Sequence, residues 1–288
     1  MSSKAEVGPA VQRARSLSPS LVGKIAYYLL PLRRREILSN IHQVFGDELS
    51  KKEARRLAQS FYSHFWRLLG EIISAIWTPK ETLASRVDVE GIEHVLKAAE
   101  NGKGVLVLTG HFGNWEMAAV AAMMQFQKYQ QRIHVVRKNV GWIAGRFVFN
   151  WFESAGINVL SRVGALERIL EILENNEVAI LVMDQHAPPP SKGVPIEFFG
   201  KKAWTNRSLA LLAGKTGAAV IPAVTFRKPD GRHYLRFEKA LEWIEADSTK
   251  AEELLNTRRY SEVLERFVLE QPEQWFWVHR RWKKVGGL

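Results

Sequence analysis

Cysteine is missing from all 288 residues, which excludes disulfides, thiolate metal sites and thiol nucleophiles outright. The compartment is not decided by that absence, which is compatible with cytosol. No secretory signal is apparent, because the first 16 residues are polar and lack an apolar h-region. The apolar stretch Leu21 to Leu32 is interrupted by Lys24 and Pro31. At about a dozen residues it falls short of the roughly 20 that a spanning helix needs, so it reads as lying on a membrane rather than crossing one. Internal repeats, low-complexity tracts and Gly-rich linkers are absent too. One domain is the economical reading: a disordered tail over 1–16, then a single unit over 17–288 with a helical part (17–80) and an α/β core (81–288).

Negative charge is also in short supply. Lys+Arg 41 against Asp+Glu 30 leaves a net charge of +11, an excess that favours anionic partners. Phospholipid head groups, an acidic carrier protein and nucleic acid all qualify. Around residue 30 the apolar run from Ile25 to Leu30 meets Arg33, Arg34 and Arg35. Aliphatic and aromatic side chains beside an arginine cluster suit a membrane interface, and they equally suit a core-facing helix with a solvated basic edge. Ser50 to Glu53 forms a capping box. Leu57, Phe61, Phe65, Leu68, Ile72 and Ile76 follow at helical spacing until Pro79.

From Val87 the pattern alternates. Apolar runs at Val105–Leu108, Ile133–Val136, Ile157–Leu160, Val178–Met183 and Ala219–Phe226 predict strands. Helical patterns at 115–126, 141–154, 164–175 and 205–215 separate them, and Tyr234–Phe237 suggests an antiparallel edge strand. The fold class is therefore α/β: a mostly parallel central sheet flanked by helices, behind an N-terminal helical layer that contacts the membrane.

The stretch with most chemistry runs from Gly104 to Glu116, GVLVLTGHFGNWE. Val105 to Leu108 read as a buried parallel strand. Gly110 ends it, His111 follows at once, and Asn114 is a plausible N-cap for the next helix. His111 thus sits at the C-terminal lip of a strand, where open α/β sheets bind ligands. Glu116, in the first helical turn, can fold back to fix the tautomer of His111 and stabilise its imidazolium. No hydroxyl or thiol nucleophile is built into the turn, so such a base acts on a substrate group. The pattern alone fits equally a strand-end histidine held by a local hydrogen bond.

His111 to Glu116 resembles the His-x4-Asp/Glu signature of the glycerolipid acyltransferase superfamily, and more narrowly that of the bacterial lipid A biosynthesis acyltransferases of the lauroyl/myristoyl type. Further blocks match in order: Leu32 to Glu36 and Asn40 to Phe45, then Asp184-Gln185 with Gly193 to Gly200, then Thr216 to Pro222, then Pro272 to Trp282. The resemblance covers roughly residues 30–284. It implies acyl transfer from an acyl thioester, on acyl carrier protein or CoA, to a hydroxyl of a lipid A precursor or another glycolipid such as a phosphatidylinositol mannoside. It implies His111 and Glu116 as the catalytic pair, with no metal or cofactor, on the cytoplasmic face of a bacterial inner membrane. Two departures stand out. Relatives often carry a convincing N-terminal membrane helix, and they show an acidic residue or asparagine where this chain has His186.

Other candidates follow from position. Arg137 ends the second strand of the core, where a guanidinium can grip phosphate, and Arg162 after the next strand is suited to the same job. Asp184 either orients an arginine or caps amides around the site. Asn114, Arg207 at the start of a helix, and backbone amides near Gly113 complete the binding set. The aromatic loop from Val194 to Gly200 either lines an acyl groove or packs on the core. Trp275, Trp277, Trp282, Arg280, Arg281 and Lys283 suit nucleic acid or a head-group layer, and the resemblance favours the lipid over the nucleic acid. A thioester hydrolase and a non-catalytic binder of anionic lipid remain open on the same residues.

Overall fold

Short apolar strands alternating with helices assemble into one sheet of seven strands. The computed structural model describes residues 4–30, 32–75, 77–126, 131–137, 150–188 and 193–283. The N-terminal layer holds α1 (Lys4–Ser16), α2 (Leu21–Leu29), α3 (Arg34–Phe45), α4 (Lys51–Ala75) and α5 (Lys80–Ser85). Then come β1 (Val87–Glu90), α6 (Ile92–Ala99), β2 (Val105–Thr109), α7 (Trp115–Gln125), β3 (Ile133–Arg137) and β4 (Ile157–Ser161). They are followed by α8 (Ala165–Glu174), β5 (Val178–Val182), the hairpin β6 (Gly193–Phe198) and β7 (Lys201–Asn206), and α9 (Ser208–Thr216). The chain closes with β8 (Ala219–Arg227), β9 (His233–Phe237) and α10 (Thr249–Glu270). The helix expected over 141–154 lies outside the described residues as far as 149, and residues 150–154 are helical.

The sheet order is β1-β9-β8-β2-β5-β3-β4. Every neighbouring pair is parallel except β8 with β9. β9 is antiparallel to β8, as its sequence suggests, but it is not an edge: β1, four residues and too short to show a period, pairs outside it. β2 sits between β8 and β5 with both faces covered. Leu106 and Leu108 pack in the large core with Ile169, Leu173, Leu209 and Leu212, while Val105 and Val107 pack with Val95 and Ala98 of α6. Burial on both faces is why this strand reads as an unbroken apolar run rather than an alternation.

The N-terminal layer shares that core. Ile37, Ile41, Phe45, Leu57 and Phe61 are all buried in it. The capping box forms, with Ser50 N–H donating to Glu53 Oε2 (2.7 Å) and Glu53 N–H to Ser50 Oγ (3.3 Å). The segment 1–16, expected to be a disordered tail, is helical from Lys4. Ala10, Val11 and Ala14 form one buried stripe on α1, and Arg13 pairs with Glu273. Three small apolar residues among polar ones are too faint a signal to read from composition.

α2 faces the other way round. Gly23, Ala26 and Tyr27 are its buried residues. A Cβ on Gly23 would lie 2.7 Å from the Ser63 backbone nitrogen, so α2 and α4 approach closely along that line. Leu21 (73 % exposed), Val22, Ile25, Tyr28 and Leu29 (72 %) consequently face outward. No described helix is long and apolar enough to cross a membrane.

Candidate active site

β2 ends at Thr109, and a tight turn carries the chain through His111 to the start of α7. Asn114 caps that helix as expected, its Oδ1 accepting from Met117 N–H at 3.1 Å. Its amide nitrogen donates to Glu71 Oε2 (3.0 Å), and the residue is wholly buried. Both ends of Asn114 are spent on structure, so it is not available to substrate. Gly113 has φ +56°, and a Cβ there would stand 2.5 Å from Thr225 O, so only glycine fits. The segment after α10 straps the turn in strand fashion: Gly113 N–H donates to Gln274 O and Phe276 N–H to His111 O, both at 3.0 Å. The Gly113 amide is thereby occupied, which removes it as the oxyanion donor expected from sequence.

Around His111 the geometry departs from the sequence expectation. His111 Nδ1 lies 2.9 Å from Asp184 Oδ1, and His111 N–H donates to Asp184 Oδ2 at 3.0 Å. Trp275 Nε1–H donates to the same Oδ2, also at 3.0 Å. Asp184, at the end of β5 and fully buried, therefore lies beneath the histidine rather than among substrate contacts. Burial would raise its carboxyl, but the charge and hydrogen bonds of His111 outweigh that and hold it well below the usual carboxylate range. The strand order explains the pairing. β5 is the hydrogen-bonded neighbour of β2, so the residues just past their C-terminal ends meet.

Among the described residues Glu116 is not hydrogen-bonded to the His111 ring. Its Oε1 lies 3.6 Å from Arg137 Nη2, and its Oε2 is buried without a hydrogen-bond partner. Burial raises this carboxyl, opposed by the charges of Arg137 and His111. Arg137 thus answers Glu116 first, with its guanidinium 5.8 Å from the Phe152 ring. Arg162 has no ion-pair partner among the described residues, whereas Arg207 is bound to Glu253 at 2.9 Å.

Sequence reasoning missed two close neighbours of His111. The Gln185 amide nitrogen lies 3.3 Å from His111 Nε2 and 3.1 Å from His279 Nε2. The His111 and His279 rings are 4.9 Å apart between centroids. Burial drives His279 down to about 4, helped by the charges of His111, Arg33 and Arg162 and opposed by Asp184. Asn40 of α3 holds this segment, donating to the carbonyls of Trp277 and His279 at 2.7 Å each. The C-terminal aromatics expected at a head-group layer are core instead. Trp275 (1 % exposed), Trp277 (0 %) and Arg281 are buried, with Arg281 donating to Thr205 Oγ1 and standing over the Phe198 ring. The Val194–Gly200 loop is the β6–β7 hairpin that receives them.

Two cavities meet at Gln185, the neighbour of the His111 ring. The first, about 340 Å³, runs between α7 and the sheet. Val107, Ile180, Val135, Ala223 and Leu235 face it from five strands, and Ala119, Ala122 and Met123 from the helix. His111, Glu116, Arg137, Arg162 and Gln185 are its polar lining. The second, about 590 Å³, is bounded by Arg162, Glu167, His186, Asn206, Arg207 and Ser208. Val136, Arg162, Val182 and Gln185 border both. Among the described residues no group of three or more His, Asp or Glu side chains could hold a metal ion.

Behind the turn lies a second buried charged cluster. Arg227 grips Glu71 with two hydrogen bonds (2.9 and 2.6 Å), and its Nη1 donates to His64 Nδ1 at 2.7 Å. Glu71 also receives Asn114 and has His233 Nε2 at 3.3 Å. His64 in turn hydrogen-bonds the Gly113 backbone.

A histidine at the sheet's C-terminal lip, on the wall of an apolar cavity that meets a second cavity at Gln185 and Arg162, makes a site with room for a long apolar group beside polar side chains. The chain belongs to the bacterial lipid A biosynthesis acyltransferase family, which it matches over residues 12–284. It is 27% identical to a lipid A biosynthesis lauroyltransferase of Escherichia coli (strain K12), over 91% of this chain and 83% of that protein. It is 24% identical to a lipid A biosynthesis palmitoleoyltransferase of the same organism, over 88% and 80% of the two chains. A phosphatidylinositol mannoside acyltransferase of Mycolicibacterium smegmatis is 27% identical, over 61% of this chain and 57% of that one. The protein is an enzyme, an acyltransferase.

Proposed function

We propose that the protein transfers a fatty acyl chain from an acyl thioester, carried by acyl carrier protein or CoA, to a hydroxyl of a lipid A precursor or a related glycolipid. The observation that carries this reading is His111 on the wall of the apolar cavity under α7, beside Gln185, which also borders the second cavity. The acyl chain lies across the sheet under α7, and the hydroxyl enters from the second cavity. His111 Nε2 takes the hydroxyl proton as the oxygen attacks the thioester carbonyl. The C–S bond then breaks, the thiolate recovers the proton from the imidazolium, and an ester is formed. Glu116 and Arg137 form the charged mouth of the acyl cavity, with Glu116 near enough to favour the imidazolium through space. Arg162, without an ion-pair partner among the described residues and at the rim shared by both cavities, is the cation for a phosphate on donor or acceptor.

The reaction takes place on a membrane, at the cytoplasmic face of a bacterial inner membrane. The outward face of α2 buries its apolar side chains in the interface, with Lys24 and Arg35 facing head groups. Arg33, just after α2, donates to Val278 O beside His279, so the membrane face and the site mouth adjoin.

The test incubates purified protein with acyl carrier protein or CoA charged with mixed acyl chains and vesicles containing lipid A precursors, and reads lipid masses. A lipid gaining one acyl unit is expected. His111→Ala should lose on the order of 10²–10⁴ in rate, the range of a general base. A double variant Leu21→Ser/Leu29→Ser should lose transfer on vesicles and keep it on detergent-dispersed acceptor. Release of free fatty acid without acylated lipid would replace the transferase reading with a hydrolase acting on water.

A further inference from the structure

We propose that the protein carries a second anion site, a basic cleft between the end of α1, the edge of α2 and the start of α4, which takes the phosphate of an anionic phospholipid in the bilayer. The inference deepens the reading of α2 as a membrane ridge and rests on it. The cleft shares no lining residue with the two cavities that meet at Gln185.

The cleft encloses about 540 Å³. Five cations line it, Arg15, Lys24, Lys52, Arg55 and Arg56, and among the described residues no carboxylate does. Lys52, Arg55 and Arg56 stand at i, i+3 and i+4 of α4 and so share one face of that helix. Like charges at this spacing repel one another, so the stripe is unfavourable to the helix by itself. Glu53, on the same helix, does not relieve it. That carboxylate accepts from Arg15 Nε at 2.8 Å and from Ser50 N–H at 2.7 Å, which closes the capping box. Lys24, Lys52 and Arg55 are exposed, with no ion-pair partner among the described residues. Arg56 donates to the Arg15 carbonyl, and Arg15 Nη2 donates to Glu48 O at 3.1 Å. Those bonds tie the end of α1 to α4 and hold the walls of the cleft together. The fold thus shapes a concave group of cations and leaves its neutralisation to a ligand, and phosphate oxygens are the acceptors that match guanidinium and ammonium donors.

Its place beside α2 decides the source of that phosphate. Lys24 and Tyr28, one turn apart, form the edge of α2 that borders the cleft, and Leu21, Ile25 and Leu29 face outward next to them. A ridge of this kind enters the interface by about 5–10 Å, which brings an opening along its edge level with the phosphates. Tyr28 carries an apolar ring and a hydroxyl, and such side chains sit at that depth. A soluble polyanion would meet the cations and leave the exposed leucines in water. An anionic bilayer satisfies both at once.

The test sediments full-length protein with vesicles of phosphatidylcholine alone, and with vesicles in which about a fifth of the lipid is phosphatidylglycerol. Wild type should bind the anionic vesicles more tightly. Lys52→Gln/Arg55→Gln removes two exposed cations of the cleft and leaves the ridge intact, and thermal melting checks that the fold is unchanged. Its partition to anionic vesicles should fall about 30-fold, the effect of two cations at a membrane surface, with partition to neutral vesicles within about twofold of wild type. Lys97→Gln/Lys103→Gln makes the same change in net charge elsewhere, since Lys103 stands just before β2, at the opposite end of that strand from His111. That pair should lower anionic binding by about threefold at most. Leu21→Ser/Leu29→Ser should weaken binding to both kinds of vesicle.

Equal losses in the two charge pairs would replace the site with long-range attraction by net charge. Unchanged anionic binding in Lys52→Gln/Arg55→Gln would overturn the cleft while leaving the ridge in place. If that variant keeps vesicle binding but loses retention on immobilised acyl carrier protein, the cleft belongs to an acidic protein and the lipid assignment fails. Wild type that binds neither vesicle would refute the membrane reading and the cleft with it, whatever the acylation assay shows.

Discussion

The two buried charged clusters either side of the His111 turn are built from similar residues and do opposite work. Glu71, Arg227, His64 and Asn114 close on one another: each guanidinium and carboxylate edge has a partner, and Arg227 is almost inaccessible. His111, Asp184, Gln185 and His279 are equally connected, yet His111 and Gln185 line the deep apolar cavity under α7, whereas the hollows that reach His64, Arg227 and Glu71 are more open ones at the surface. A completed network in low dielectric is a fastener, and one with an open end is available for chemistry. The closed cluster also supports the open one, because His64 and Glu71 hold Gly113 and Asn114, the residues that follow His111.

The comparison is broken most forcefully at Arg227. Arg227→Met strands Glu71 and removes the donor to His64 Nδ1, and breaking a buried pair costs about 3–5 kcal/mol. Chemical denaturation should show that loss. His111→Ala leaves the wholly buried Asp184 Oδ1 without its ring partner but keeps the two donors to Oδ2, so it should cost less, about 1–3 kcal/mol, while turnover falls on the order of 10²–10⁴. Equal destabilisation by the two would mean that both clusters are structural.

How legible this was from sequence depends on separation along the chain. The strand–turn–helix around His111 was readable because its signals are local: an apolar run, a glycine break, an N-cap at Asn114. The capping box at Ser50 was readable for the same reason. Asp184 was identified as a candidate but not as the partner of His111, since that contact depends on β5 lying beside β2 in the sheet order. Trp275 and Trp277 looked like membrane anchors because composition does not show which aromatics a hairpin will cover. Trp275 is covered by Phe198 of the β6–β7 hairpin, and Trp277 lies beside Trp275 and Phe45 of α3, contacts set by the tertiary fold. The outward face of α2 shows the converse. Its apolar stretch was visible, but which side faces α4 is decided by the close approach at Gly23.

Acid should separate the clusters next. Burial and the neighbouring Arg227 push His64 down to about 3, because a proton on its ring would face a guanidinium 2.7 Å away. Between that value and the unfolded reference near 6.5, the unfolded chain binds a proton that the folded chain refuses. Stability is therefore fully present above about pH 6.5 and falls as the pH drops. At pH 5 the deficit from His64 is on the order of 2 kcal/mol. His64→Gln keeps an acceptor for Arg227 and a donor for the Gly113 backbone, so it should flatten the stability slope between pH 7 and pH 5. An unchanged slope would move the acid sensitivity elsewhere, with His279 of the open cluster, depressed to about 4, the next group to test.

The smallest effect tests the open end itself. Arg162 and Arg207 both border the second cavity, but among the described residues only Arg207 has a carboxylate partner, Glu253 at 2.9 Å. A cation already paired at that distance gives up one interaction to gain another, so its net contribution to a ligand is small. Arg162 gives up no ion pair among the described residues. Arg162→Ala should therefore raise KM about tenfold, equivalent to about 1.4 kcal/mol, with kcat little changed because the residue stands at the rim and not on the reacting atoms. Arg207→Ala should change KM less than threefold. Varying one substrate at a time tells which phosphate is bound: a rise confined to the thioester assigns Arg162 to the donor, and one confined to the lipid assigns it to the acceptor. The reverse ranking of the two arginines would show that substrate displaces Glu253, and that the second cluster is open further along its wall than the free cation alone indicates.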